Sequence, residues 1–375
     1  MTALRLYATH GVGVETLVSR ELAELGIRVD RLEPGRARFD GSLDDLYRAL
    51  IHLRCASRVV REIGFAELTS ERDLYDLVRS LDWGRWMHPN TTFRVHLNAH
   101  SSLFRNTRFA QYRVKDAICD WFQDQAGRRP SVDLVCPNLP VYCYLENRRF
   151  SIGLDAAGDP LHMRGYRVAQ HAASLREHLA AALVLHAGWT PPKPLHDPFC
   201  GSGTVLIEAA MIATRTPASY RRTSFGCEHW PDFDPERFAQ LRQQAAQAVQ
   251  WVDGLIITGA DRDQDAVELA KRNVASAGFG EHVRVQACSV DQMPAIHHGC
   301  IVTNPPYGVR VGQGRGLADT FRAFRERALA CTGSSVTVLH ADETFEKAFS
   351  LRPTKSNRLN NGPLRCTVTR YDIRA

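Results

Sequence analysis

A glycine-containing loop at residues 197–204, with the sequence DPFCGSGT, constrains the fold of this chain more than any other segment. The short stretch 194–196 leads into it as a strand, and the apolar run 204–213 leaves it with the composition of a helix. A strand, a tight glycine turn and a helix in this order form the first unit of a doubly wound sheet. The pattern therefore predicts a Rossmann-like α/β domain with a ligand loop after its first strand.

The sequence of this loop excludes two common nucleotide-binding loops. A P-loop needs Lys followed by Ser or Thr after its second glycine, and a dinucleotide fingerprint needs a third glycine where Leu206 stands. The remaining common ligand is S-adenosylmethionine, whose zwitterionic end requires close backbone approach and an acidic partner such as Asp197. Turn capping is the alternative role for Asp197. The other residues predicted to contact the cofactor in this loop are Phe199, Cys200, Gly201 and Gly203.

A second carboxylate follows a second predicted strand. The apolar stretch 255–260 ends at Asp261, and residues 265–273 continue as an amphipathic helix. An acidic side chain at the end of the second strand is where a ribose diol is held, so Asp261 and its neighbour Arg262 are predicted cofactor contacts, with Asp263 as the alternative ribose ligand.

The spacing between the two carboxylates is wide. Asp261 lies far beyond the roughly 20 residues that separate the glycine loop from the ribose ligand in a compact nucleotide-binding unit. Residues 214–250 are therefore predicted to be an insert, with a polar helix at about 241–249.

A second motif, NPPYG at residues 304–308, directly follows the apolar stretch 301–303. The lone pair of an amino group on a base is delocalised into the ring, so this nitrogen attacks a methyl donor poorly. The Asn304 side-chain oxygen and the Pro305 carbonyl can accept hydrogen bonds from its two N–H groups, which favours a more nucleophilic nitrogen.

The rest of this motif fits the same chemistry. Two prolines, Pro305 and Pro306, stiffen the turn without a competing N–H, and Tyr307 is expected to stack on a base that has been rotated out of its helix or loop. Asn304 is also expected to border the cofactor. An ordinary surface turn after a strand is the alternative interpretation. Together with the glycine loop, the motif predicts an amino-group methyltransferase.

Beyond these motifs, the chain resembles, nearly end to end, the bacterial THUMP-containing RNA methyltransferases that form N2-methylguanosine. Residues 53–59, for example, resemble a helix of that family with the pattern LRtAsRv. Segments that carry the resemblance are 8–15, 53–59, 73–75, 82–83, 128–133, 161–167, 175–183 and 355–362.

The resemblance implies three modules and a function. We expect a ferredoxin-like domain at 1–65, a THUMP-like RNA-binding domain at 66–165 and an S-adenosylmethionine-dependent methyltransferase domain at 166–375. The expected reaction is transfer of a methyl group to the exocyclic N2 of a guanosine in structured RNA, with ribosomal RNA favoured over transfer RNA. The residues expected to act are Asn304, Pro305, Pro306 and Tyr307.

One position departs from the family pattern. After the predicted strand 283–287, the family usually has an Asp that binds the adenine amino group of the cofactor, whereas this chain has Cys288. We keep Cys288 as a predicted cofactor contact by position, with Asp291 of the following turn as a possible substitute for the missing carboxylate.

Charge and composition are compatible with an RNA partner. The net charge is +6 with a pI near 8.8, and arginine carries most of the positive charge. Arginine suits both phosphate binding and base stacking. A stretch at 104–115 interleaves aromatic with basic side chains and is the best nucleic-acid candidate. Its members are Phe104, Arg105, Arg108, Phe109, Tyr112, Arg113 and Lys115.

Other classes of protein are disfavoured. The 10 cysteines contain no C-x-x-C pair, and the 15 histidines show no metal-binding spacing, so neither a zinc site nor a disulfide framework is predicted. No apolar run approaches the ~18 residues of a membrane span, and the amino terminus does not resemble a signal peptide. A cytoplasmic protein is therefore expected.

Two other functions stay open at this stage. Adenine-N6 methylation of DNA or RNA is the first, because the same tetrapeptide at 304–307 serves adenine amino groups. A catalytically idle RNA-binding or ribosome-assembly factor is the second, and Cys288 is the sequence feature that favours it.

Overall fold

The computed structural model describes residues 3–104, 106–169, 174–307, 315–341 and 343–374. Two residues of the predictions above, Arg105 and Gly308, lie outside these ranges. Among the described residues, no helix has both the length and the apolar character needed to cross a membrane.

The N-terminal part of the chain is built on one seven-stranded sheet in the order β2-β3-β1-β4-β7-β6-β5. All neighbours in it are antiparallel except β5 and β6. Its strands are β1 (Leu4–Thr9), β2 (Arg31–Glu33), β3 (Arg36–Gly41), β4 (Arg58–Glu67), β5 (Phe93–His100), β6 (Leu139–Glu146) and β7 (Arg149–Asp155). Its helices are α1 (Glu15–Glu24), α2 (Leu43–His52), α3 (Glu71–Ser80) and α4 (Thr107–Ala126).

Strand β4 corrects one expectation from the sequence. The helix expected over 53–59 is absent, because α2 ends at His52 and Leu53 already has an extended backbone. The chain then turns to pair with β1, starting with the bond from the Ser57 N–H to the Thr9 carbonyl. This strand also pairs with β7, so it joins the two N-terminal units across the expected boundary at 65/66. The division into 1–65 and 66–165 stays a prediction.

The C-terminal part forms a second seven-stranded sheet in the order β10-β9-β8-β11-β12-β14-β13. The first five strands of this order are parallel, and β14 is antiparallel to both of its neighbours. Its strands are β8 (Leu195–Asp197), β9 (Ile257–Asp261), β10 (Val283–Ala287), β11 (Cys300–Thr303), β12 (Ser335–His340), β13 (Lys355–Asn361) and β14 (Leu364–Asp372). Its helices are α5 (Glu177–Ala187), α6 (Thr204–Ala213), α7 (Pro235–Gln247), α8 (Gln264–Ser276), α9 (Arg315–Leu329) and α10 (Glu343–Phe349).

Helices cover both faces of this sheet, as a doubly wound fold requires. Because side chains alternate along a strand, Ile301 packs with the phenylalanines of α9 and α10 on one face, while Cys300 and Val302 belong to the core on the other face with α5 and α6. The fold-class prediction is confirmed: a Rossmann-like α/β sheet follows α+β modules.

The insert packs back onto the N-terminal part. Its helix α7 begins at Pro235, six residues before the expected start, because Asp234 caps it by accepting a hydrogen bond from the Arg237 N–H at 2.9 Å. The ring of Phe238 meets that of Tyr47 in α2 at 5.1 Å. Insert and N-terminal sheet thus share a core.

Candidate active site

The predicted site residues lie at one edge of the second sheet. Asp197 ends β8, Asp261 ends β9, and Asn304 directly follows β11. Strand β8 pairs with β9 on one side and with β11 on the other. The strand order therefore proceeds outward in opposite directions from β8, which makes this strand the topological switch point of the sheet. Open α/β sheets bind ligands at this switch point, beyond the carboxyl ends of the strands.

Two glycines shape the loop after β8. Gly203 has φ +79°, and a Cβ there would lie 3.2 Å from the Cβ of Ala270, so the loop approaches α8 closely. Gly201 has φ +50°, and a Cβ there would meet nothing within 4 Å. The backbone at Gly201 therefore faces open space, where a ligand can approach it, and this fits the cradle predicted for the cofactor.

Asp197 is 1% exposed and is held in place from two sides. Its Oδ1 accepts hydrogen bonds from the Thr303 hydroxyl at 2.5 Å and from the Phe199 N–H at 3.1 Å. Burial raises the pKa of this carboxyl to about 7, against the lowering effect of the two hydrogen bonds. The contact with Thr303 ties the glycine loop to the strand that precedes Asn304.

Phe199 and Cys200 serve mainly as packing groups in this arrangement. The Phe199 ring meets Phe324 edge-on at 5.5 Å, on the α9 face. Cys200 is 6% exposed, and a Cβ added at Gly259 of β9 would come within 3.0 Å of its Cβ. Burial raises the pKa of the Cys200 thiol, which disfavours the nucleophilic thiolate.

Asp261 faces the glycine loop. Its Oδ2 accepts from the Gly201 N–H at 2.9 Å, and its Oδ1 accepts from the Asp263 N–H at 3.0 Å. Asp263 instead caps α8 by accepting from the Asp265 N–H. Arg262 between them is exposed. This geometry favours Asp261 over Asp263 as the ribose ligand.

Cys288 directly follows β10, next to the end of β9. Its N–H donates to the Asp261 carbonyl at 2.9 Å, so its backbone extends the β9–β10 pairing, and its side chain is half-buried. Asp291 lies in the next turn and is exposed. Both stay candidates for the adenine contact.

Asn304 has the most informative side chain of the site. Its Oδ1 atom is buried and accepts no hydrogen bond from any described residue. A buried acceptor without a donor costs about 1–3 kcal/mol, so such atoms usually serve a ligand. Pro305 beside it is buried and Pro306 is half-buried.

Tyr307 is fixed by contacts that the sequence analysis missed. Its hydroxyl accepts a hydrogen bond from the Asn361 Nδ2 at 3.0 Å and lies 4.0 Å from the Cys366 sulfur. Both partners belong to the β13–β14 hairpin. The sequence feature that could have indicated this contact is the asparagine pair in the segment 355–362.

The nucleic-acid candidate at 104–115 is divided between core and surface. Phe104 is buried, whereas Phe109 and Tyr112 are 47% and 59% exposed. The Arg113 guanidinium lies 4.4 Å from the centre of the Tyr75 ring, and Lys115 pairs with Asp116. The exposed rings of α4 therefore stay available for a partner.

The described residues contain no group of three or more potential metal ligands. All 10 cysteines are free thiols, and Cys136 is the exposed one.

Three family models match consecutive parts of the chain. Residues 164–370 match an RMKL-like methyltransferase domain, residues 69–155 a THUMP domain, and residues 5–60 an RlmL ferredoxin-like domain. The ribosomal RNA large subunit methyltransferase K/L of Vibrio campbellii is 33% identical over 369 residues, which is 96% of this chain and 52% of the relative. The chain thus spans about half the length of this curated relative.

Solved structures show the same architecture. A protein described as a methyltransferase, SMU.472 in complex with SAH, is 28% identical with a TM-score of 0.89, over 100% of this chain and 99% of its own. A Listeria monocytogenes protein described as a predicted N6-adenine-specific DNA methylase is 29% identical with a TM-score of 0.87, over 99% and 96%. TrmN from Thermus thermophilus, at 22% identity and a TM-score of 0.71 over 99% of both chains, shows the shared fold alone.

Proposed function

The chain belongs to the family of RMKL-like methyltransferases, and we propose that it transfers a methyl group from S-adenosylmethionine to the exocyclic N2 of a guanosine in ribosomal RNA. The observation that carries this proposal is the buried, unpartnered Oδ1 of Asn304. It lies at the sheet edge that also holds Asp197 and Asp261, where an amino group can be offered to a cofactor on the glycine loop.

Four residues of this chain would hold the cofactor. The Asp197 carboxylate would pair with the ammonium group, the backbone at Gly201 would approach the amino-acid end, and Asp261 would bind the ribose hydroxyls. Cys288 would border the adenine. When bound, S-adenosylmethionine supplies an electrophilic methyl group on a sulfonium centre.

The NPPY residues would prepare the amino group. Asn304 Oδ1 and the Pro305 carbonyl accept its two N–H groups, so its lone pair is directed away from the ring plane. Tyr307 stacks on the base and holds it at the correct depth. These acceptors stabilise positive charge as it develops on the nitrogen, and the nitrogen releases its extra proton after transfer, so no general base is needed.

The N-terminal modules would deliver the RNA. The relative from Vibrio campbellii is named for ribosomal RNA, and the match to a THUMP domain at 69–155 favours RNA over DNA. We propose that residues 66–165 bind structured RNA in the cytoplasm, with the salt dependence that phosphate contacts produce. Unchanged RNA binding in the double variant Phe109→Ala, Tyr112→Ala, which removes the two exposed rings of α4, would reject that role.

Adenine-N6 methylation is the second candidate, because the similar Listeria monocytogenes protein is described as an N6-adenine-specific DNA methylase. Nucleoside mass spectrometry of ribosomal and transfer RNA from cells with and without this protein separates the two. Loss of N2-methylguanosine from ribosomal RNA is the expected result. Loss of N6-methyladenosine, or no loss in either RNA, would reject the proposal.

A further inference from the structure

A cavity of about 740 Å³ lies outside the cofactor loop and is formed by three segments. The first, 159–167, follows the THUMP match. The second, 174–177, leads into α5. The third, 221–224, belongs to the insert. The cavity therefore lies where the N-terminal part meets the methyltransferase domain, and neither Asp197, Asp261 nor Asn304 lines it.

Arg222 fixes the insert to the N-terminal part. Its guanidinium donates to the carbonyls of Ala157 at 2.6 Å, Asp159 at 2.8 Å and Pro160 at 3.0 Å. Its Nε donates to the Ser224 carbonyl at 3.0 Å. All four acceptors are backbone carbonyls, and the Asp155 and Asp159 carboxylates stabilise the charge of this 7% exposed side chain through space.

A buried ion pair forms another wall. Arg167 and Glu177 pair at 2.7 Å with side chains 10% and 7% exposed. The same arginine donates to the Thr204 hydroxyl at 3.1 Å, and the Ser174 hydroxyl lies 2.9 Å from that of Ser202. The cavity is therefore joined by direct hydrogen bonds to the glycine loop and the start of α6.

Two further arginines give the cavity its unpaired charge. Arg176 and Arg221 line it, both are exposed, and neither forms an ion pair with a described residue. His162 also lines it, with a buried Nδ1 that has no partner. Four arginines line the cavity, against two acidic residues, Asp159 and Glu177. Because Glu177 already pairs with Arg167, the cavity lining keeps a net positive charge.

We propose that this cavity binds phosphodiester groups of the RNA strand that carries the target nucleotide. Planar guanidinium groups suit phosphate oxygens, and Arg222 and Arg167 hold the walls so that Arg176 and Arg221 face an ordered site. A phosphate held here lies between the RNA-binding module and the cofactor loop. This inference rests on the proposed function for the identity of the polymer.

The test uses the full chain with Arg176→Gln, Arg221→Gln and the double substitution. The probe is a fluorescently labelled, unmodified transcript of a ribosomal RNA domain whose binding is measured by anisotropy over a series of KCl concentrations. Each phosphate contact contributes about 0.7–0.9 to the slope of log K against log salt. We expect the double variant to bind roughly ten-fold more weakly, with a slope lower by about 1.5.

Arg352→Gln is the matched control. Arg352 is exposed in the loop before β13, on the side of the sheet where the parallel strands begin, away from the carboxyl ends that hold the candidate site. Its substitution should leave the slope unchanged. Calorimetry with S-adenosylmethionine is run on every variant. Normal cofactor affinity with a reduced slope supports the proposal, whereas an unchanged slope, or a lost cofactor affinity, overturns it.

The two proposals fail in different ways. If the wild-type chain methylates no RNA but the arginine variants still reduce the salt slope, the proposed function fails and the phosphate site stands. If methylation of N2 is established and the double variant keeps the wild-type slope, the phosphate site alone is rejected.

Discussion

Asp197 shows at the level of one residue how burial sets the pKa of a predicted ligand-binding carboxyl. The fold buries its carboxyl and supplies two hydrogen-bond donors, Thr303 and the Phe199 backbone. Burial outweighs these donors, so the pKa of the group rises to about 7 without a ligand. Because the charged form is favoured beside a cation, a bound ammonium group would lower this pKa again.

This predicts a pH dependence of cofactor binding. Below pH 7 most of the free protein must release a proton from Asp197 before it can pair with the ammonium group. The affinity for S-adenosylmethionine should therefore rise up to ten-fold per pH unit between about pH 5.5 and 7, and level off above it. Calorimetry in two buffers of different ionisation enthalpy measures the released proton.

Asp197→Asn is the control for this prediction, because it removes the titrating group and keeps the shape. Its affinity should be lower and flat over the same pH range. An equally steep profile in this variant would assign the proton to another group.

Asn304→Ala should separate chemistry from cofactor binding. Removing the unpartnered acceptor leaves the glycine loop intact, so calorimetry should show S-adenosylmethionine binding close to that of the wild type. The turnover number for RNA should fall by about 10²–10³, the usual effect of removing one polar group that stabilises developing charge. Asn90→Ala, on an exposed turn, is the control, and unchanged turnover in Asn304→Ala would remove the mechanism.

At the level of elements, the β13–β14 hairpin connects the site to the N-terminal part. Asn361 in β13 holds the Tyr307 hydroxyl. Its neighbour Asn360 donates its N–H to the Val12 carbonyl at 3.2 Å. Gly13 has φ +94°, and a Cβ there would come within 1.9 Å of the Arg358 carbonyl oxygen. One strand thus contacts both the predicted stacking residue and the ferredoxin-like unit.

A double-mutant cycle tests whether this contact positions the ring. Asn361→Ala and Tyr307→Phe each remove one partner of the 3.0 Å hydrogen bond, and the double variant removes both. We expect a coupling of about 0.5–1.5 kcal/mol in the activation free energy for kcat, with KM for S-adenosylmethionine unchanged. Strictly additive effects would show that the bond does not act on the reaction.

At the level of the whole molecule, a buried charged network joins the two sheets. Glu208 of α6 meets Arg164 at 3.4 Å and Tyr166 at 3.2 Å. Arg164 donates to the Arg54 carbonyl at 2.6 Å, and the Arg54 side chain donates to the Thr216 carbonyl. These groups link the segment that follows α2 to the 159–167 segment and to α6.

Arg164→Met should therefore destabilise the whole chain. The substitution removes the cation that lies 3.4 Å from the buried Glu208 carboxylate, and breaking such a buried pair costs about 3–5 kcal/mol in the free energy of unfolding. Urea denaturation followed by tryptophan fluorescence and circular dichroism measures it. Arg322→Met, which breaks the exposed pair with Asp319, should change stability by less than about 0.5 kcal/mol, and equal losses in the two variants would contradict the prediction.

The sequence predicted the second sheet and the place of its site because the signals were local. Asp261 and Asn304 each follow an apolar stretch, Asp197 follows the short strand predicted at 194–196, and strand ends in a parallel sheet share one edge. The contact between Tyr307 and Asn361 joins distant parts of the chain through an antiparallel hairpin, so no local pattern contains it. Strand β4 was missed for a related reason: its pairing with β1 and β7 outweighs the helix-like sequence around Leu53.

The double pairing of β4 has a consequence for any exchange of modules between relatives. A graft with its seam at 65/66 would cut a strand that is hydrogen-bonded on both sides, and would leave each piece with an open, aggregation-prone edge. A transplanted N-terminal part must carry the complete sheet, from β1 to the end of β7 at Asp155. Recombination that preserves folding is therefore expected to exchange strands β1 to β7 together.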